Sequence, residues 1–236
     1  ATAVGDYRGT GILPEAMRNF LALLGWNPGD EREVFVSVEE LVDAFSIHRI
    51  QKKSAIFDVT KLEWLNGQYI GQTPAPALYE LVESELVTKG LDLDGLGKDR
   101  LLHAIAVQSE RARTTLELAE RVAVRYDATR IERDAKADKL INKNPDGFRS
   151  ALEAAHERLT ALDEADWLPE PLETALRTLA AERGLSAGAV FQPIRVALTG
   201  LTVSEPVNVL LEVVGKEESL RRMRTAQAWA PSADGE

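Results

Sequence analysis

Gln192, Arg195 and Thr199 stand at i, i+3 and i+7 within FQPIRVALTG, residues 191–200. On a helix they form one polar line beside an apolar stripe of Val190, Ile194, Ala197 and Leu198, with Gly200 as a stop. An arginine in such a line offers a planar fork of donors that suits a base edge, a base face or a phosphate. Pro193 interrupts the pattern. If 187–192 is helical, Pro193 leaves the carbonyl of Ala189 without a donor and a kink is expected; if not, Pro193 simply stands near the helix start. A kink that aims Arg195 at a ligand and plain structural punctuation are both consistent with the residues.

A second set of donors lies where one helix should stop and another start. Glu110, Arg111 and Arg113 precede Thr114–Thr115, a β-branched pair suited to cap the helix that follows. Two arginines two positions apart cannot share a helix face, so at least one points along the break. Either they contact a ligand, or they are solvated and paired with Glu110 and Glu117.

Several chemistries are excluded. The chain has no cysteine, which removes disulfides, thiol nucleophiles and zinc–thiolate sites. His48, His103 and His156 lie about fifty residues apart, and none has a histidine at i+4 to share a metal. No glycine-rich phosphate loop and no G-x-S-x-G elbow is present. Carboxylate pairs such as Glu39–Glu40, Glu83–Glu85 and Glu217–Glu218 read as solvated helix faces. No catalytic residue is assigned.

The elements that must position these donors read helical throughout. LPEAMRNFLALLG has Pro14 in a first turn, apolar Met17, Phe20, Leu21 and Leu24, and Gly25 as a stop. SVEELVDAF opens on a capping box, Ser37 with Glu40. DVTKLEWLNGQYI has Asp58 as cap and Val59, Leu62 and Leu65 as its buried stripe. Further helices follow in 73–90, in 99–126 with a break near 114–115, in about 146–162, in 169–184 and in 187–199, and two more close the fold. No alternating strand is found. The reading is an all-α array of ten or more helices in two to three packed subdomains. The charged stretch 127–144 has the weakest apolar periodicity and is the natural subdomain boundary, a role compatible with its being helical itself. The tail APSADGE is expected to be disordered.

At 236 residues, 44% hydrophobic and 28% charged, the chain has the composition of a folded globular protein with a sizeable core. No apolar run approaches the roughly 18 residues of a membrane span, so no membrane partner is expected. The opening ATAVGDYRGTG has no basic start and no apolar core, which argues against a signal peptide; lacking an initiator methionine, it reads as a cut end. The net charge of −10 argues against non-specific nucleic-acid binding. Yet between Lys98 and Lys143 basic residues outnumber acidic ones eleven to eight, so a local basic face is possible.

GILPEAMRNFLALLGWNPGDEREVF followed by FDVTKLEWLNGQYI resembles the region after the catalytic lysine–serine–lysine loop of bacterial glutamyl-tRNA synthetases. QPIRVALTG and VVGKEESLRRM are similar to the end of the same enzymes, so the resemblance runs from about Ala3 to Arg224. It implies the C-terminal half of a class I aminoacyl-tRNA synthetase, a cytoplasmic monomer of translation that uses ATP, with Mg, to attach glutamate to tRNA(Glu). The nucleotide-binding fold would precede residue 1, so this chain alone is expected to be non-catalytic. The implied division is 1–70, a tRNA corner or stem-contact segment; 71–143, a first anticodon-binding helical subdomain; and 144–236, a second one with the tail. The implied anticodon contacts are Arg113, or Arg111 beside it, reading the third base, and Arg195 with Thr199, Ser204 and Pro206. Arg49, Lys52 and Lys53 in HRIQKKS would touch the tRNA backbone. The alternative is a helical protein-interaction scaffold, favoured by the net acidity and the lack of a strong basic stripe.

Overall fold

The computed structural model describes residues 3–51 and 55–231. Lys52 and Lys53 lie outside the described residues, as does the tail from Ser232 onward. Among the described residues the fold is all-α, with an isolated antiparallel bridge between Trp26 and Ile50. No helix among them is long and apolar enough to cross a membrane. The chain divides into two compact units, Ala1–Val122 and Ala123–Glu236.

The first unit holds α1 (Pro14–Leu23), α2 (Val38–Ala44), α3 (Val59–Gln72), α4 (Ala75–Thr88), the short α5 (Leu93–Leu96), α6 (Lys98–Ser109) and most of α7 (Thr115–Tyr126). Local chemistry sets their starts. Pro14 opens α1, where a missing N–H leaves no bond unmade. The Ser37 hydroxyl accepts from the Glu40 N–H at 3.1 Å, and the Glu40 carboxylate reaches back to the Val36 N–H at 2.8 Å, one residue short of a strict capping box. Asp58 caps α3 by accepting from the Lys61 N–H at 3.2 Å. Packing of α1 on α3 buries Met17, Phe20, Leu62 and Leu65. Leu21 and Val59, expected on the buried stripes, stay exposed, because each lies on the edge of its helix away from that contact. Trp26 is buried with Phe35, and Trp64 packs against the α1–α3 cluster, so both are core residues.

The second unit contains α8 (Ala135–Lys143), α9 (Pro145–Thr160), α10 (Pro169–Glu182), α11 (Ala187–Thr199), α12 (Val207–Val214) and α13 (Lys216–Ala226). Leu152, Leu159, Leu176, Ile194, Leu210 and Met223, one or two from each long helix, meet in a single apolar core. The second half of the charged stretch 127–144 is α8, which buries Ala137 and Ile141 in this core. Two apolar contacts per helix are a weak periodic signal, but enough to fasten three turns to a neighbour.

Candidate nucleic-acid interface

In the first unit, α6 ends at Ser109 and α7 begins after Thr114, whose hydroxyl accepts from the Glu117 N–H at 3.0 Å. The intervening turn exposes Arg113, while Arg111 is half-buried and points its Nη1 back at the Val107 carbonyl, 3.4 Å away. The Arg113 N–H donates to the Glu117 carboxylate at 2.7 Å, and Glu117 in turn holds Arg121 at 2.7 Å. Glu117 therefore engages the main chain of residue 113 and leaves its guanidinium outside that pairing. Of the two arginines, Arg113 is the one presented to solvent.

In the second unit, α11 is helical from Ala187 to Thr199 with Pro193 inside it. Ser186 caps its start, and Gly200, at φ 75°, closes its end by donating to the Val196 carbonyl at 2.8 Å. Pro193 supplies no N–H to the Ala189 carbonyl four residues back. Ala189, Gln192 and Pro193 together form one wall of a groove of about 660 Å³. From α8, Lys136, Lys139 and Lys143 line it as well, together with Arg183 and the apolar Leu140, Phe148 and Leu185. The first turns of α9 and α11, through Gly147 and Gly188, also line it, so the positive ends of two helix dipoles add to the side-chain cations. The side-chain oxygen of Gln192 is buried without a hydrogen-bond partner among the described residues.

Arg195 is half-buried on α11, one turn beyond Gln192. Thr199 is buried and does not extend the polar line into solvent: its hydroxyl donates to the Arg195 carbonyl at 2.8 Å and accepts from the Leu201 N–H at 3.1 Å. It closes its own helix. After Gly200 the chain runs through Thr202, which touches the groove, to half-buried Ser204 and exposed Pro206 at the start of α12. The Ser204 hydroxyl donates to the Glu205 carbonyl at 2.8 Å.

This loop is held from beneath by charges that the sequence reading did not single out. Glu205 is fully buried and receives both Nε and Nη2 of Arg125, at 3.0 and 2.6 Å. Arg222, also buried, donates to the carbonyls of Val124, Leu198 and Arg125 at 2.8, 2.9 and 3.0 Å. It thereby fills carbonyls left open at the ends of α7 and α11, and its Nε is neutralised by Glu218 at 2.6 Å. The three groove lysines were also missed. Their spacing of i, i+3 and i+7 repeats that of Gln192, Arg195 and Thr199, and was the available signal.

Arg49 is folded back on its own unit, its Nη1 donating to the Pro28 carbonyl, with its guanidinium against Gly29. Lys52 and Lys53 are outside the described residues. Among the described residues no group of three or more histidines, aspartates or glutamates could hold a metal ion.

The chain matches known proteins over nearly its whole length. A family model described as "tRNA synthetases class I (E and Q), catalytic domain" matches residues 1–64, and one described as "Anticodon binding domain" matches residues 77–227. The chain is 42% identical over 229 residues to the glutamate–tRNA ligase of Thermodesulfovibrio yellowstonii, a match covering 95% of this chain and 47% of that one. It is 40% identical over 223 residues to glutamate–tRNA ligase 2 of Rhodospirillum rubrum, covering 94% and 46%. The chain thus spans about half the length of these curated relatives. A crystal structure of a glutamate–tRNA ligase from Elizabethkingia meningosepticum, in complex with its amino acid, superposes with a TM-score of 0.76 at 26% identity, over 95% of this chain and 43% of that one. With the helical array, the arginine turn and the cationic groove falling inside the matched segments, the chain belongs to the anticodon binding domain family.

Proposed function

We infer that this chain is the tRNA-binding part of a glutamate–tRNA ligase and that it grips the anticodon loop of tRNA(Glu). The groove of the second unit carries the reading. Unstacked RNA bases need apolar faces to lie on and polar groups at their edges, and their phosphates need cations. Here Leu140 and Leu185 give the apolar lining, Gln192 brings a side-chain oxygen without a partner among the described residues, and Lys136, Lys139, Lys143 and Arg183 give the charge. In a protein of net charge −10 such a concentration of cations sets where an anion is drawn. It is also the basic concentration whose absence from the linear sequence favoured a scaffold.

Arg195 on α11 and Pro206, exposed at the start of α12, are on this reading the second unit's further contacts, with Ser204 near Pro206 in the chain. Thr199 acts from within, fixing the helix end that carries Arg195. In the first unit Arg113, rather than Arg111, reads the third anticodon base. Arg49 serves the RNA backbone only if it leaves the Pro28 carbonyl. Attachment of glutamate with ATP and Mg belongs, on this reading, to the remainder of the ligase, and this chain serves it by holding the tRNA. The parent is a cytoplasmic monomer.

The test is binding of tRNA(Glu) transcripts across a salt series. The expected result is measurable affinity at low salt that falls with log[salt], by a slope of about −0.7 per phosphate neutralised on single-stranded RNA. Replacing Lys136, Lys139 and Lys143 together by Gln should lower that slope by about two, on the same per-phosphate scale. Binding that is absent at low salt, or indifferent to the three replacements, overturns the reading.

A further inference from the structure

Asn66 and Gly67 are adjacent on α3, and both are buried. Asn66 is fully buried and uses its whole amide. Its Oδ1 accepts from the Leu13 N–H at 2.8 Å, and its Nδ2 donates to the carbonyls of Gly11 at 3.1 Å and Arg113 at 2.6 Å. One acceptor faces an N–H and two donors face carbonyls, so the network itself fixes which way the amide points. Three chain segments meet at this one side chain, and one of them is the turn that carries Arg113.

Gly67 supplies the other half of the seat. A methyl group there would stand 3.2 Å from both Cδ and Nη1 of Arg113 and 3.1 Å from the Ala112 carbonyl. The stem of Arg113 thus lies across bare helix backbone, in space that any other residue would fill. A glycine inside a helix costs about 1 kcal/mol relative to alanine, and here that cost accompanies the close approach of the Ala112 carbonyl and the Arg113 stem.

We propose that Asn66 and Gly67 are positioning residues for base reading: Asn66 fixes the main chain of Arg113, and Gly67 fixes the direction of its guanidinium. This rests on the reading that Arg113 contacts an anticodon base. The amide holds the carbonyl of residue 113 from below while Glu117 holds its N–H from the side, so both ends of the residue are anchored and the side chain has one seat to lie in.

The experiment uses the full chain and two RNAs, a tRNA(Glu) transcript and the same transcript with the third anticodon base changed from cytosine to guanine. The readout is the ratio of their dissociation constants, with thermal unfolding followed in parallel. Gly67→Ala should still fold, with a modest fall in melting temperature from crowding the Ala112 carbonyl, and reduce the ratio by about tenfold, part of what one two-point base contact provides. Asn66→Asp, which keeps the shape but removes both donors, should reduce it too. In an Arg113→Gln background Gly67→Ala should change the ratio no further, because its effect runs through residue 113. A general weakening of both RNAs with the ratio intact overturns the inference, as does an equal effect of Gly67→Ala with and without Arg113. If Arg113→Gln alone leaves the ratio unchanged, it is the role of Arg113 that fails, and the seat with it.

Discussion

Arg125 and Glu205, eighty positions apart, form a two-point ion pair in the interior of the second unit, Nε to Oε1 at 3.0 Å and Nη2 to Oε2 at 2.6 Å. The pair ties the end of α7 to the residue just before Pro206, and so sets the loop that follows α11. Because both groups are buried, removing one leaves the other charged and unsolvated. Arg125→Met is expected to destabilise the unit by about 3–5 kcal/mol, whereas Arg125→Met with Glu205→Leu restores most of that loss. Urea unfolding of the two variants against the parent measures it; equal destabilisation by the single and double changes would show that packing, not charge, is at stake.

Arg113 is exposed on a turn whose main chain is fixed at both ends. Arg113→Gln should weaken tRNA(Glu) binding by about 1–3 kcal/mol and narrow the preference for cytosine over guanine at the third anticodon position. A guanidinium fork matches the acceptors on the pairing edge of cytosine, whereas guanine presents donors there. Arg111→Gln, with its side chain turned back to α6, should leave that preference within twofold; competition binding with paired transcripts decides between them.

Gly200 closes α11 at φ 75°, and a methyl group on it would stand 2.2 Å from the Glu132 carbonyl oxygen. Asp134 donates to the Gly200 carbonyl at 3.2 Å, so the segment before α8 cannot simply move aside. Gly200→Ala therefore combines a left-handed backbone with a clash against main chain, and should lower stability by about 2 kcal/mol or more. Thermal unfolding should show a fall of about 4–8 °C for a chain of this length. A variant melting within a degree of the parent would mean the segment yields.

His156 on α9 is partly buried, and burial, with the Arg224 guanidinium 3.2 Å from its Nε2, pushes its pKa below the ordinary value. The folded state then binds a proton less readily than the unfolded one. Its contribution to stability is present above the ordinary histidine pKa of about 6.5 and is lost as pH falls below that value. The melting temperature should drop more steeply between pH 6.5 and 5.5 for the parent than for His156→Gln; parallel curves would remove His156 from the account.

Much of the helical framework was written locally. Pro14, Ser37, Asp58, Thr114, Ser186 and Gly200 act on backbone within four residues, so their roles as starts and stops follow from chemistry that needs no distant partner. The all-α class followed from the same signals. Val59 and Leu21 were misjudged because a stripe is wider than the contact it makes, and only the neighbour's outline says which edge is covered. Within the candidate site, Arg113 and Arg195 could be named from residue type and a likeness to known enzymes, but exposure could not. Arg113 differs from Arg111 only in which way the turn faces. Thr199 shared a polar line with Arg195 on paper, yet its hydroxyl is spent on the helix end.

Sequence by itself thus determined where many helices begin and end, that the chain has no cysteine, and which arginines are worth asking about. Tertiary structure alone decided what those arginines can do. The lysines of α8 and the wall of α11 are some fifty positions apart and become one groove only through a shared core. Asn66 meets Arg113, Arg125 meets Glu205, and Arg222 meets three carbonyls across separations no local rule encodes. The physical reason is common to all of them. A buried polar group must find its partner wherever packing brings one, and burial is a property of the assembled chain, not of any segment in it.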